Sequence, residues 1–201
     1  MSPDGPSILG TCFSVGPNIF ATANHVIGGD RSNIVLVKAR ADNPGDYQDL
    51  SPGPIEYMDA DVAEVNPFRD LCTLRIREGR IDAYVLGSSD DLLPGERFVT
   101  AGFPHADTHR FVLTRFDSTV GARVRMENSA IKSKYLVINS TSRPGQSGSP
   151  IIDPRSGRVA AVLLGAYTPN SRYQIKFLGS DISTQHQTTH AVSAEYLQEM
   201  I

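Results

Sequence analysis

The sequence predicts an all-β protein. Short runs rich in β-branched residues alternate with clusters of Gly, Pro, Asn and Asp along most of the 201 residues, a spacing typical of β-sandwiches and β-barrels. Helical spacing is confined to the end of the chain, where Ala194, Leu197 and Ile201 fall on about one face and Ser193 is in position to cap the helix. We therefore expect strands throughout and one short C-terminal helix.

Turn signals such as VGPN (15–18), LPGE (93–96) and DPRSGR (153–158) separate the predicted strands. The strands are, in chain order, Gly10–Val15, Ile19–Thr22, Asn33–Ala39, Ala60–Asn66, Cys72–Ile76, Arg97–Gly102, Val112–Phe116, Ser118–Met126, Tyr135–Asn139, Ser149–Ile152 and Arg158–Ala166. A polar stretch, Ile81–Pro94, divides them into two groups. This division predicts two small barrels, residues 1–85 and 86–201, that form one domain with a cleft between them, a common place for a site.

Composition excludes several classes of function. A net charge of −3, from 19 basic and 22 acidic residues, gives no electrostatic footprint for nucleic acid or an anionic membrane. No apolar run approaches the ~20 residues that a transmembrane helix needs. Histidine and acidic residues show no ligand spacing, so we expect neither metal nor cofactor.

The N-terminus, MSPDGPSILG, has no signal-peptide pattern. We therefore expect a cytoplasmic protein, unless the chain is a domain cut from a longer one. Cys12 and Cys72 lie in apolar surroundings and are interpreted as two buried reduced thiols.

The stretch RPGQSGSPIID (143–153) combines glycine, proline and serine immediately before a predicted strand. A serine nucleophile needs a base and hydrogen-bond donors for the oxyanion. Gly145 and Gly148 free the backbone on both sides of Ser147, so the N–H groups of Gly145 and Ser147 could converge as such donors. Considered alone, the stretch fits a hairpin turn as well as a nucleophile loop.

Two further residues complete a possible catalytic set. His25 follows a β-run in IFATANHVIGG and begins a short helical turn, although a lone histidine is usually structural. His105, His109, His186 and His190 are expected at the surface, although His105 follows a strand end and could approach a cleft. Asp70, at the mouth of the apolar run Leu71–Ile76, could fix the tautomer of a histidine base. The alternative is a strand-start aspartate paired with Arg69 or a backbone N–H.

Three segments in this order resemble the motifs of the trypsin/chymotrypsin-like serine peptidases. TANHV matches the T-A-x-H histidine motif, RDLCTLRI resembles the aspartate strand, and GQSGSP matches G-x-S-G-x-P. The opening GTCFSVGPNIFATANHVI is similar to the HtrA-like and glutamyl-endopeptidase-like bacterial branch. The likeness extends over most of the chain, through VTAGFP to HAVSAEYLQEM.

The resemblance implies two six-stranded antiparallel barrels and a serine endopeptidase that acts through an acyl-enzyme on a polypeptide substrate. It assigns Ser147 as nucleophile, His25 as general base and acid, and Asp70 as orienting carboxylate. The backbone N–H groups of Gly145 and Ser147 would bind the oxyanion. The sequence has no activation motif of secreted trypsins, so constitutive organisation or regulation by a partner or a fused domain is expected.

The resemblance also outlines the substrate pocket. Its lining residues would be Thr141, Ser142, Leu163, Leu164, Gly165 and Ala166. Thr141 supplies no carboxylate for a Lys or Arg side chain, and Leu163 stands where acid-preferring relatives carry histidine. We therefore expect small or medium apolar residues at the cleavage site. The alternative for Leu163 and Leu164 is that both belong to the barrel core.

Two other functions compete with a peptidase. A catalytically silent or partner-gated peptide-binding module would keep the groove without the chemistry. An esterase of another fold would need a strand–Ser–helix elbow and parallel βαβ units, whereas the residues after Ser147 indicate strand and turn.

Overall fold

The computed structural model describes residues 9–28, 31–40, 45–51, 53–106, 111–167, 176–177, 180–181 and 188–201. The elements in these ranges are mostly antiparallel strands. They are β1 (Phe13–Gly16), β2 (Ile19–Ala23), the helix α1 (Asn24–Ile27), β3 (Ile34–Val37), β4 (Tyr57–Asn66), β5 (Leu71–Ile76), a 3-10 turn (Ser89–Asp91), β6 (Arg97–Gly102), β7 (Thr114–Asn128), β8 (Ile131–Ile138), β9 (Pro150–Ile152), β10 (Val159–Tyr167), β11 (Lys176–Phe177), β12 (Ser180–Asp181), β13 (Thr188–Ser193) and a 3-10 helix (Ala194–Met200).

The first sheet has the strand order β1-β2-β5-β4-β3. Its interior strand β2 is buried on both faces, as its run of small and apolar residues predicts. The expectation of six strands here is wrong for the residues described, because five strands form this sheet. The predicted linker, Ile81–Pro94, is tied to the first sheet at its start, where the Tyr84 N–H donates to the Ser14 carbonyl (3.0 Å) and the Ile81 N–H donates to the Pro17 carbonyl (2.8 Å).

The second sheet closes into a six-stranded barrel with the order β10-β13-β8-β7-β6-β9, which agrees with the expected six strands. The predicted strands 112–116 and 118–126 are parts of one long strand, β7. A register shift between Val120 and Ala122 lets β7 bend without a break in its pairing with β8.

The C-terminal helix differs in detail from the prediction. Residues 194–200 form a 3-10 helix, and the Ser193 side chain does not cap it. Ser193 is fully buried, and its hydroxyl instead accepts a hydrogen bond from the Ser89 N–H (3.0 Å). The helix still buries Leu197 completely, so the predicted apolar face is used.

One apolar cluster joins the two sheets. Phe13 and Leu71 of the first sheet pack with Val162 and Val192 of the second and with Leu197 of the 3-10 helix. Because α1 directly follows β2 of the first sheet, β5 belongs to that sheet and the loop before β9 belongs to the second barrel, this cluster helps to hold the predicted catalytic residues in a fixed relation.

Candidate active site

His25 lies in the helix α1, which begins where β2 ends. The Asn24 N–H donates to the Asp70 carbonyl (2.9 Å), so the start of α1 is tied to the start of β5. The His25 side chain is 47% exposed, which leaves its ring open to a substrate.

Asp70 holds His25 at two points. The carboxylate Oδ1 accepts the backbone N–H of His25 (2.8 Å), and Oδ2 lies 2.6 Å from the ring Nδ1. A carboxylate only accepts hydrogen bonds, so Nδ1 carries the proton and Nε2 is left as the acceptor. The Asp70 backbone has φ of +56°, a conformation rare for a residue other than glycine, at the end of the turn that precedes β5. The alternative partner Arg69 instead donates to the Ser133 hydroxyl (3.1 Å).

The loop before Ser147 contains a tight turn. The Gln146 N–H donates to the Arg143 carbonyl (3.1 Å), and Gly145 has φ of +89°, as a type II turn with Pro-Gly at its centre requires. The buried Gln146 side chain closes the same turn, because its Oε1 accepts the Arg143 N–H (2.7 Å). The proline and glycine of the motif therefore have a definite structural use.

The peptide unit between Pro144 and Gly145 has a fixed orientation. Its carbonyl accepts the His105 N–H (2.8 Å). In a trans peptide the C=O and N–H point in opposite directions, so the Gly145 N–H is directed away from His105. Across the described ranges, neither the Gly145 N–H nor the Ser147 N–H donates to a protein acceptor. Both groups are thus open to an external oxygen.

The Ser147 hydroxyl donates to the Leu164 carbonyl (3.0 Å). The described contacts include no hydrogen bond between Ser147 and His25. The structure thus joins His25 to Asp70, while the hydroxyl is bonded elsewhere. Rotation about the Cα–Cβ bond of Ser147 redirects a hydroxyl without moving the backbone.

The predicted pocket residues do not all lie together. A Cβ built on Gly165 would lie 3.3 Å from the Ser147 Oγ and 3.8 Å from the Ser142 Oγ, so these three residues face one another. Thr141 and Ala166 are exposed nearby in sequence. Leu163 is fully buried in the apolar cluster of the second barrel, which favours the alternative that it is a core residue.

Two histidines have roles that differ from the sequence expectation. His190 is 8% exposed rather than on the surface, with its Nε2 3.2 Å from the Thr188 hydroxyl, and burial lowers its pKa. His105 has an exposed side chain, but its backbone N–H organises the Ser147 loop. A backbone contact of this kind leaves no side-chain signal in the sequence. His109 and His186 lie outside the described residues.

Other candidate sites are not supported where the structure describes the chain. No group of three or more His, Cys, Asp or Glu side chains is arranged to hold a metal ion there. The described helices include none long and apolar enough to cross a membrane. A groove of about 850 Å³ beside β1 and β4 is lined by Phe20, Met58 and Tyr84, and it contains none of the predicted site residues.

Comparison with known proteins identifies one protein family for this chain. The family model described as "Trypsin-like peptidase domain" matches residues 10–162, a span that includes His25, Asp70 and Ser147. No curated protein sequence is similar enough to count as a relative.

Solved structures with the same fold are peptidases of low sequence identity. An inactive mutant of Rv3671c from M. tuberculosis H37Rv is 17% identical, with a TM-score of 0.64 over 95% of this chain and 78% of that one. The MamO protease domain from Magnetospirillum magneticum is 16% identical, with a TM-score of 0.65 over 96% and 88% of the two chains. The HtrA-type protease AlgW, solved with a decapeptide, is 19% identical, with a TM-score of 0.65; the match covers 95% of this chain and 50% of AlgW.

Proposed function

Because the chain belongs to the trypsin-like peptidase family, we propose that Ser147, His25 and Asp70 act together as its catalytic triad. The family makes the chain a serine-type endopeptidase that acts on polypeptides. The observation that carries the assignment is the two-point contact between Asp70 and His25, which leaves Nε2 of His25 free to accept a proton.

The proposed reaction starts with a rotation of the Ser147 side chain away from the Leu164 carbonyl. His25 Nε2 then takes the hydroxyl proton as Oγ attacks the peptide carbonyl. Negative charge on the carbonyl oxygen is stabilised by the N–H groups of Gly145 and Ser147, which are open in the structure. Asp70 stabilises the imidazolium that results.

The tetrahedral intermediate collapses when the carbon–nitrogen bond breaks. The leaving amine receives the proton from His25, and the acyl group remains on Ser147. Water attacks the ester while the now neutral His25 takes a proton from it, and His25 returns that proton to the Ser147 Oγ as the acid is released. The cycle needs no reactant besides the peptide and one water molecule, and its proton transfers all pass through His25.

A fluorophosphonate probe tests the triad directly, because phosphonylation needs an activated serine and not a particular peptide. We expect the wild-type protein to be labelled and Ser147→Ala to be unlabelled. Asp70→Asn should slow labelling by about 10⁴-fold, because it leaves His25 in the wrong tautomer. The surface variant Ser156→Ala serves as the matched control and should label at the wild-type rate.

Digestion of unfolded casein distinguishes a peptidase from a silent binding module. Cleavage that is lost in Ser147→Ala would support the proposal. Binding of casein without cleavage, together with no labelling of the wild-type protein, would favour a catalytically silent module. Labelling that appears only when a cell extract is added would indicate gating by a partner.

We further propose that cleavage occurs after small or medium apolar residues. Ser142 and Gly165, which face Ser147, bring no charge to this side of the loop. Cleavage of a positional-scanning peptide library should therefore show Ala, Val or Leu at the position before the scissile bond. Selection of Lys, Arg or Glu there would contradict this preference.

A further inference from the structure

Thr11, a buried residue before β1, bridges the first sheet and the loop that carries Ser147. Its side-chain Oγ1 donates to the Gly145 carbonyl (2.7 Å) across a sequence separation of 134 residues. The same oxygen accepts the Phe103 N–H (3.2 Å). Thr11 is only 4% exposed, so little water competes for these two bonds.

The Thr11 backbone makes two more bonds in the same region. Its N–H donates to the Ser147 carbonyl (2.9 Å). Its carbonyl accepts the Thr22 hydroxyl (2.8 Å), which ties it to β2. Side chain and backbone of Thr11 thus hold both Gly145 and Ser147, the two residues whose N–H groups are open.

Glycines provide the space for these contacts. A Cβ built on Gly148 would lie 2.0 Å from the Thr11 carbonyl oxygen, and one built on Gly102 would lie 3.0 Å from the Thr11 Oγ1. A side chain at Gly148 would displace the Thr11 backbone, and one at Gly102 would crowd the Thr11 hydroxyl. The Ser147 loop, at Gly148, and β6, at Gly102, therefore approach Thr11 closely because neither residue has a Cβ.

We propose that Thr11 is a positioning residue for the oxyanion site; this inference rests on the function proposed above. Gly145 has φ of +89°, and glycine readily leaves such a conformation. The Thr11 hydroxyl fixes the Gly145 carbonyl, while the His105 N–H fixes the carbonyl of the preceding peptide unit. Together these bonds hold the Gly145 N–H in one orientation before substrate arrives.

We expect Thr11 to affect the energy of the transition state more than the binding of substrate. Negative charge on the substrate oxygen develops only during attack, so a misdirected N–H costs little in substrate binding and more in rate. Loss of the hydroxyl should therefore lower kcat with KM almost unchanged. Loss of an oxyanion donor itself costs about 10²–10³ in kcat, and we expect about tenfold for loss of a residue that only positions one.

Three substitutions at Thr11 separate the hydroxyl from the packing. Thr11→Val keeps the shape and removes the hydroxyl, Thr11→Ser keeps the hydroxyl, and Thr11→Cys substitutes a weak donor. Thr100→Val is the matched control, because Thr100 is fully buried and no described group bonds its hydroxyl. The measurements are the rate of labelling by a fluorophosphonate probe, kcat and KM for p-nitrophenyl acetate, and the melting temperature.

We expect Thr11→Val to be slowed about tenfold in kcat and in labelling, Thr11→Ser to stay within about twofold of wild type, and Thr11→Cys to fall between them. Thr100→Val should keep the wild-type rates. If Thr11→Val does not fold, the Ser and Cys variants give the same comparison.

Equal rates for Thr11→Val and wild type would overturn the role of Thr11 alone. A Thr11→Ser variant as slow as Thr11→Val would also overturn it, because the γ-methyl group and not the hydroxyl would then matter. Failure of the wild-type protein to be labelled would instead overturn the proposed function, and the role of Thr11 with it.

Discussion

Gly145 shows at the residue scale how a motif glycine is used. It shares φ of +89° with Gly95, which lies in the exposed turn before β6. The two differ in their surroundings: a Cβ on Gly145 would lie 2.2 Å from the Phe103 carbonyl oxygen, whereas one on Gly95 would meet nothing within 4 Å. Substitutions at these two glycines therefore distinguish the cost of backbone strain, which both share, from the cost of disturbing the close packing of the loop, which only Gly145 has.

We expect Gly95→Ala to cost about 1–2 kcal/mol of unfolding free energy from strain alone, with labelling by the fluorophosphonate probe unchanged. Gly145→Ala carries the same strain and must also shift the loop away from Phe103, so labelling should fall sharply. Urea unfolding and labelling rates measure the two effects. Equal labelling of both variants would mean that the loop tolerates a shift without losing its donors.

Sequence was informative about residues whose side chains form a motif, and silent about residues that act through the backbone. The contact of His25 with Asp70 lies where the T-A-x-H pattern and the start of an apolar strand predicted it. The contribution of His105 is a backbone N–H, which any residue type except proline supplies. Thr11 resembles any strand-edge threonine until its distant partner is known.

At the scale of elements, the order of three neighbouring strands determines whether the two cysteines can form a disulfide. Phe13 pairs with Ala21, and Thr22 pairs with Cys72, so Cys12 and Cys72 flank Thr22 on opposite sides. Two strand spacings separate their Cα atoms by about 10 Å, beyond the about 7 Å that a disulfide can span. Both thiols are free; Cys72 is fully buried as predicted, whereas Cys12 is only partly buried. Desolvation raises the pKa of Cys12 to about 12 and that of Cys72 to about 11.

These two thiols should therefore stay reduced and unreactive in air. We expect the melting temperature to be the same with and without dithiothreitol, and thiol reagents to react fully only in denaturant. Mass spectrometry after exposure to oxidised glutathione gives a direct check. An intramolecular disulfide in the folded protein would contradict the strand order described here.

The elements themselves were predicted where apolar and β-branched runs were bounded by clear turn signals. Strands β2, β5 and β6 lie within a residue or two of their predicted bounds. The type of helix at the C-terminus was harder to predict, because a run of seven residues forms one apolar face in a 3-10 helix as well as in an α-helix. The five strands of the first sheet also differ from the six expected, since pairing across a long segment is not encoded in local pattern.

At the scale of the whole molecule, one apolar cluster holds the two sheets in their relative position. Leu197 belongs to the cluster shared by both sheets, whereas Leu92, equally buried, belongs to the core of the second barrel alone. The 3-10 helix is also joined to the first sheet by a stack of the Arg69 guanidinium on the Tyr196 ring, 4.0 Å from its centre.

Replacement of either leucine by alanine should cost about 2–5 kcal/mol of unfolding free energy, because each leaves a cavity in a packed core. Only Leu197→Ala should also slow labelling well below its melting temperature, since it loosens the sheets on which His25 and Ser147 separately lie. Calorimetry and labelling at 20–25 °C distinguish the two variants. Similar slowing in Leu92→Ala would indicate that general softening of the second barrel is enough.

The closing position of β13 has a consequence for synthesis on the ribosome. This strand lies between β10 and β8, so the second barrel stays open until residues 188–193 have emerged. A nascent chain that already contains His25, Asp70 and Ser147 therefore still lacks the framework that aligns them, and domains of this kind fold as units. The three residues can therefore be aligned only after a strand that lies well beyond Ser147 in the chain has joined the barrel.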